Sequence, residues 1–294
     1  MDHAFHSPDT LTVPVESKKP ITAYNLETNS HTFGNVKVTV TKGPMLSSQC
    51  QCSSLKTNPE EIAGGDGEQR CVFCRYEPKI TLKHLPDMVF VQNRLVVAFF
   101  WGKFGIEFNA VDAVNSIRDT PTTDARVASA EVWQAARSES LKTHTTHAVQ
   151  YDWTYTPHYR GTIFGQGLKV EPTDLQLDMN LLTKKDPVMF FDELQLYGDE
   201  LDDNGCAELE IKIRIVESYM FILLRFYLRV DHVMVRIQDT RLFLEKDKPY
   251  MLREFSVRES SISNLPSNVS PMDASAVWQA LQPQQVVVEK ITFS

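Results

Sequence analysis

The amino-acid sequence predicts an α+β fold: a single domain of mainly antiparallel β-sheets packed as a sandwich, with a few flanking helices. Three observations carry this prediction. Apolar and polar residues alternate with period two at Val36, Val38 and Val40, and again at Leu209, Ile211, Ile213 and Ile215, with Glu208, Glu210, Lys212 and Arg214 on the opposite face. Asp202-Asp203-Asn204-Gly205 is a strong turn signal between two apolar runs. Helical periodicity is confined to short stretches near 110–118, 124–138 and 273–281.

Along the chain, residues 1–32 mix Pro, Ser, Thr, His and Lys without an apolar period and read as a disordered tail ahead of a domain spanning 33–294. Val36 opens the first half-buried strand. Residues 47–75 lose the alternation, contain Gly64-Gly65-Asp66-Gly67, and read as a Cys-bearing loop insertion. Met88–Val91 and Leu95–Trp101 flank Gln92-Asn93-Arg94, the pattern of a hairpin with Asn93 at a positive-φ turn position. Gly105–Ala113 hands a strand to a helix, with Asn109 or Asp112 as the cap. Asp124 caps the next helical stretch, which presents Val127, Val132, Trp133 and Ala136 on one side. The apolar run 188–201 pairs with strand 207–216. Strands 219–230, 233–237 and 241–245 follow, with a tight turn at Asp231-His232 and a second turn bracketed by Arg236, Asp239 and Arg241. Arg225 and Arg229 interrupt an apolar strand, which calls for buried partners or a functional cleft.

Composition narrows the function classes. The chain has 294 residues, 42% of them apolar and 10% aromatic, enough to build a core without disulfides or metal. A net charge of −8 argues against a general nucleic-acid binder, which needs clustered Lys and Arg. The N-terminus has neither a basic start nor an apolar run, and Tyr219–Val230 is too short and too charged to span a bilayer. A soluble cytoplasmic protein with reduced thiols and no membrane partner is expected. The acidity is local: residues 171–210 hold twelve carboxylates against Lys184 and Lys185, a net −10 that leaves the rest of the chain at +2. A local acidic face of that kind would steer a basic partner.

Cys50-x-Cys52 and Cys71-x-x-Cys74 stand at the two ends of the insertion. Two short pairs of thiolates suit a tetrahedral structural zinc, and the insertion would then be a zinc-dependent interaction module; the alternative is a set of unligated loop thiols. Cys206 reads as a free thiol. His144 and His147 lie in a polar Thr-rich link without an acidic third ligand. No GxSxG, HExxH, GxGxxG or P-loop pattern is present, and the acidic run 199–203 lacks calcium-loop spacing. An enzyme reading survives only as a metal-assisted hydrolase using Glu107, Asp112 and Asp239 as acid and base.

Several blocks are richer than a core requires: GIEFNAVDAV at 105–114, YDWTYT at 151–156 with Tyr159 and Gly161-Thr162, DEL at 199–201, KIRI at 212–215, FILLRFYLRV at 221–230, DTRL at 239–242 and YMLREFSVRES at 250–260. In these blocks, and in order over roughly 33–294, the sequence resembles the TOR signalling pathway regulator-like family, the TIPRL-type regulators of type 2A protein phosphatases. The tail and the four-cysteine insertion depart from the family's shared part. The resemblance implies a non-enzymatic regulator that needs no cofactor. Such a regulator binds the catalytic subunits of type 2A, 4 and 6 serine/threonine phosphatases, including their C-terminal tail, restrains their activity and acts in TOR signalling. It further implies partner-binding roles for Asp112, Leu177, Ile237 and Asp239, the two aspartates holding polar groups of the tail and the two aliphatic residues giving apolar contact.

Overall fold

The computed structural model describes residues 26–51, 71–99, 103–117 and 152–293. Among these residues the strands form two sheets. The five-stranded sheet runs β1 (Glu27–Phe33), β2 (Val36–Lys42), β4 (Arg94–Phe99), β5 (Phe104–Asn109) and β6 (Thr162–Gly165). The eight-stranded sheet runs β3 (Met88–Val89), β8 (Phe190–Asp199), β9 (Gly205–Ile215), β10 (Tyr219–Val230), β11 (Met234–Glu245), β12 (Tyr250–Ser261), β13 (Gln285–Phe293) and β7 (Leu168–Pro172). Every neighbouring pair is antiparallel. Among the described residues four short α-helices join them: α1 (Val72–Tyr76), α2 (Ala110–Asn115), α3 (Met179–Leu182) and α4 (Ala274–Ala280). None of the described helices is long and apolar enough to cross a membrane.

The two-residue period builds the core, because alternate side chains of each strand meet on one face. Val38, Val40, Val97, Ile106 and Phe108 from the first sheet pack with Leu209, Ile211, Ile213, Ile222, Leu224 and Leu242 from the second, all but fully buried. The inner faces of the two sheets thus share one core. The hairpin between β8 and β9 follows the turn signal closely. Leu201, Asp202 and Asp203 adopt φ of 51°, 53° and 64°, and Gly205 sits at φ 151°, where a Cβ would lie 1.9 Å from the Arg229 carbonyl oxygen. Only glycine fits there.

Four expectations change. Residues 27–32 are not tail but most of β1, which pairs along its full length with β2. Its sequence, ETNSHTF, shows no apolar alternation because an edge strand is held by its backbone ladder while most of its side chains stay exposed. Residues 88–99 are not a hairpin: β3 joins β8 in one sheet and β4 joins β2 and β5 in the other. Asn93 is a crossover staple rather than a positive-φ turn residue. Its Oδ1 accepts the Gly43 amide at 2.7 Å and its Nδ2 donates to the Gln195 carbonyl at 2.7 Å, so one buried amide ties the two sheets. No turn separates 233–237 from 241–245; β11 is one continuous strand, so Asp239 and Arg241 are neighbours on one face by strand periodicity. Finally, the acidic segment does not form one face. Alternation sends Asp192 inward to Lys42, at 2.6 Å, and turns Glu193 and Glu208 out to solvent. Asp199 is buried as well; that burial holds its carboxyl above the usual range, against hydrogen bonds from the Leu201 and Asp87 amides. The helical stretch 124–138 and His144 and His147 lie outside the described residues.

Candidate functional site

The outer face of the eight-stranded sheet carries the densest polar chemistry. On β10, β11 and β12 the polar residues that point away from the core include Arg225, Asp239, Arg241, Glu254, Ser256 and Arg258, adjacent through the registers Arg225↔Asp239, Asp239↔Ser256 and Arg241↔Glu254. The Arg225 guanidinium donates twice to Asp239, Nε to Oδ1 and Nη2 to Oδ2, both at 2.8 Å. This bidentate geometry matches the planar fork of arginine to a carboxylate. Arg241 approaches the same carboxylate at 3.5 Å and Glu254 at 3.3 Å. Burial alone would lower the Arg225 pKa, yet the hydrogen bonds and charge of Asp239, helped by Glu210, leave it raised. The guanidinium is therefore fixed as a cation.

The stripe continues outward. Lys212 lies 3.1 Å from Glu210 and 3.7 Å from Glu193, so opposite charges follow one another across β8 to β12. It starts in solvent at Glu193, whose side chain is 59% exposed, and is sealed at Asp239, which is 0% exposed. Two apolar clusters close it off. Leu177, Val216, Tyr219, Phe243 and Leu252 lie at one end under α3; Tyr227, Val235, Ile237 and Val277 lie at the other under α4. Asp273 caps α4 by accepting the amides of Ser275 and Ala276, which fixes Trp278 between two guanidiniums, 4.5 Å from Arg241 and 4.4 Å from Arg258. Burial and the Arg241 charge lower the Arg258 pKa. Tyr227 donates to the Pro271 carbonyl, and burial pushes its hydroxyl up to about 12.

Three of the four residues expected at the partner interface therefore share this face: Leu177 in the first cluster, Ile237 in the second, Asp239 between them. All three are covered by the chain itself, at 6%, 0% and 0% exposure. As the protein stands they shape the face rather than offer contact atoms. Asp112 is elsewhere and half-buried at the start of α2, where Asn109 is the cap: its Oδ1 accepts the Asp112 amide at 2.8 Å. The Asp112 carboxylate accepts from Asn109 Nδ2 and from the Thr162 hydroxyl, tying α2 to β6. Tyr159 completes this knot by donating to the Glu107 carbonyl at 3.0 Å while accepting the Asn109 amide at 3.1 Å. Burial raises the pKa of its hydroxyl. Tyr155 and Tyr159 are thus core and scaffold.

The hydrolase reading fails on geometry. On β5, Ile106 and Phe108 face the core, so Glu107 lies on the outer side of the five-stranded sheet, whereas Asp239 lies on the outer side of the other. The whole core separates them, and they cannot act on one bond. Among the described residues the sulfurs of Cys50, Cys71 and Cys74 are the His, Cys, Asp or Glu ligand atoms that converge as a group of three or more. Cys52 lies outside the described residues. Cys206, half-buried at the start of β9, stands opposite Arg229.

One surface went unseen in the sequence. Met179, Val188, Met189 and Phe191 are each more than half exposed. Phe191 is the cross-strand neighbour of Arg214, whose Nη2 donates to the Leu182 carbonyl at 3.0 Å, so this apolar rim adjoins α3 and the exposed end of the charged stripe. Exposed aromatic and methionine side chains beside a polar rim are the composition of an interaction surface.

The fold is thus a two-sheet antiparallel scaffold with a sealed ion-pair stripe and an exposed apolar rim. The chain belongs to the TIP41-like family, whose model matches residues 88–266. It is 36% identical to a TIP41-like protein of Caenorhabditis elegans over 81% of each chain. It is 41% identical to the human TIP41-like protein over 73% of this chain and 79% of that one. It is also 33% identical, over 58% of this chain and 51% of the relative, to a Saccharomyces cerevisiae protein named type 2A phosphatase activator TIP41.

Proposed function

We propose that this chain binds the catalytic subunits of type 2A-like serine/threonine phosphatases and regulates their activity, in the cytosol and within TOR signalling, without being an enzyme itself. The observation that carries this reading is family membership together with the yeast relative's name. In the reading, the apolar rim at Phe191 and Met189 supplies the buried centre of the contact, and the exposed carboxylates beside it steer a basic surface of the partner. In the same reading Asp239 and Ile237 hold the face in shape, and Asp112 gives a polar contact to the partner's C-terminal tail. The resemblance implies restraint of the phosphatase, whereas the yeast relative is named an activator; the sign is read by assay.

The test is binding of purified type 2A, 4 and 6 catalytic subunits to the immobilised chain, each with and without its C-terminal tail. The rate on a phosphopeptide is then followed as the chain is added. Saturable binding with a change in rate supports the reading, and weaker binding of the tail-less subunit supports the tail contact. No binding to any of the three subunits overturns it.

A further inference from the structure

We propose that Cys50, Cys71 and Cys74 form a structural zinc site that clips the two ends of the insertion together. Twenty residues separate Cys50 from Cys71 in the sequence, yet the three sulfurs lie within 4.8 Å of one another. Cys50 Sγ is 3.2 Å from Cys74 Sγ and 3.9 Å from Cys71 Sγ. A tetrahedral zinc with Zn–S of ~2.3 Å requires S···S edges of about 3.8 Å, so both edges from Cys50 lie within an ångström of that geometry and the third is no longer than 4.8 Å. A disulfide would join only two of the sulfurs, at ~2.05 Å, and gives no reason for the third to be there.

The local build fits the role. Cys71 is the N-cap residue of α1 and Cys74 lies one turn further on, so the Cys-x-x-Cys spacing brings both sulfurs to one side of the helix. The Gln51 amide donates to Cys71 Sγ at 3.4 Å, the outer hydrogen bond that commonly supports a ligating thiolate. Both stems are anchored, the first by the Leu46 amide on the Val89 carbonyl at 2.7 Å, the second by Val72 buried in the core. The triangle is therefore held from both sides. Soft thiolates select zinc over magnesium or calcium. Three deprotonated cysteines brought this close repel one another unless a cation sits among them, and ligation supplies it, with release of the thiol protons to solvent. Cys52 is the fourth cysteine of the paired pattern; the proposal stands on the three that converge. The cluster lies outside the 88–266 family match.

The experiment uses the full chain, expressed with zinc and purified without chelator. Elemental analysis is expected to give one zinc per chain, retained by the Cys206→Ser variant and lost by Cys74→Ser. Cobalt exchanged into the parent should show the intense visible bands of a tetrahedral thiolate site. Chelation should speed proteolytic cutting within 47–75 at least tenfold, with cutting elsewhere unchanged. Because chelation is applied to the folded parent, this arm stands even if Cys74→Ser folds poorly. Less than a tenth of an equivalent of zinc, a Cys50–Cys74 disulfide in non-reducing thiol counts, or identical cutting with and without metal would each overturn the proposal.

Discussion

Replacing Asp239 by alanine tests whether the outer-face stripe is sealed as its geometry says. The carboxylate is fully buried and receives both arms of Arg225 at 2.8 Å, with Arg241 at 3.5 Å. Alanine removes the carboxylate bonded to Arg225 while the guanidinium stays covered, its side chain 11% exposed. Breaking a buried pair by removing one partner costs about 3–5 kcal/mol, because the remaining charge is left uncompensated. In a chain of this size each kcal/mol moves the melting temperature by about 2–4 °C, so Asp239→Ala should melt about 6–20 °C below the parent. The double variant Arg225→Met/Asp239→Leu removes both charges together and should recover most of that loss, since an apolar pair of similar volume is often neutral. Arg241 retains Glu254 and the Trp278 face in both variants. Thermal melts followed by circular dichroism, with urea titrations at 25 °C, check the numbers. A melting point for Asp239→Ala within about 2 °C of the parent would refute the reasoning, because Arg225 would then have found water or another acceptor.

Asp192 should set an acid limb of stability. Burial alone would raise its pKa, but hydrogen bonds from Lys42, Asn29 and the Glu193 amide outweigh this and lower it. A carboxylate depressed in the folded state stabilises the fold above its unfolded pKa near ~4, and that contribution is lost as pH falls through the folded value. Asp192→Asn should therefore be less stable than the parent by about 1–3 kcal/mol at pH 7, with the gap closing as pH falls through the depressed folded value in urea midpoints taken across pH. Asn93→Ala leaves the Gly43 amide and the Gln195 carbonyl without their cross-sheet partner and should cost about 2–4 kcal/mol by the same titration; a loss under 0.5 kcal/mol would show that water replaces the staple. Phe191→Asp places a charge on an exposed rim residue and should change the melting temperature by less than about 2 °C while weakening phosphatase binding at least tenfold.

What the sequence made legible was whatever local periodicity writes down. The alternation over 207–216, the turn at 202–205 and the handover at Asn109 appear in the protein as read, because each is decided by residues within one turn or one strand. The errors arise where a distant partner decides. The row ETNSHTF becomes a strand only because β2 offers it a backbone edge, and Asn93 looks like a turn residue until the Gln195 carbonyl of the other sheet is placed beside it. Asp239 and Arg241 suggest a turn when isolated charges interrupt an apolar run; Arg225 on the neighbouring strand makes them the sealed centre of a continuous one. The acidic segment shows the reverse limit. Its net −10 was countable, but strand alternation divides it between the core and solvent, and no sum of charge reveals that division. The convergence of Cys50 on Cys71 and Cys74 was hinted at by the paired spacing, while the exposure of Phe191 and Met189 had no sequence signal, since apolar residues in a strand read as buried.

Burial of Asp239 also changes what a binding defect at that position would mean. Its carboxylate cannot reach a partner across the covered face, so any influence on binding would pass through Arg225 and Arg241, and from Arg241 through Trp278 to α4. If that route is the correct one, Asp239→Ala loses phosphatase binding in proportion to its loss of order on this face. Arg225→Met/Asp239→Leu, which carries neither charge but keeps the packing, then binds nearly as the parent does. If instead the carboxylate itself is recognised after a rearrangement of α4, the double variant restores the melting temperature and leaves binding lost. The two outcomes differ in a single measurement, binding at a temperature where both variants are folded. Recovery of stability without recovery of binding would return Asp239 to the contact surface and show that the covered face opens.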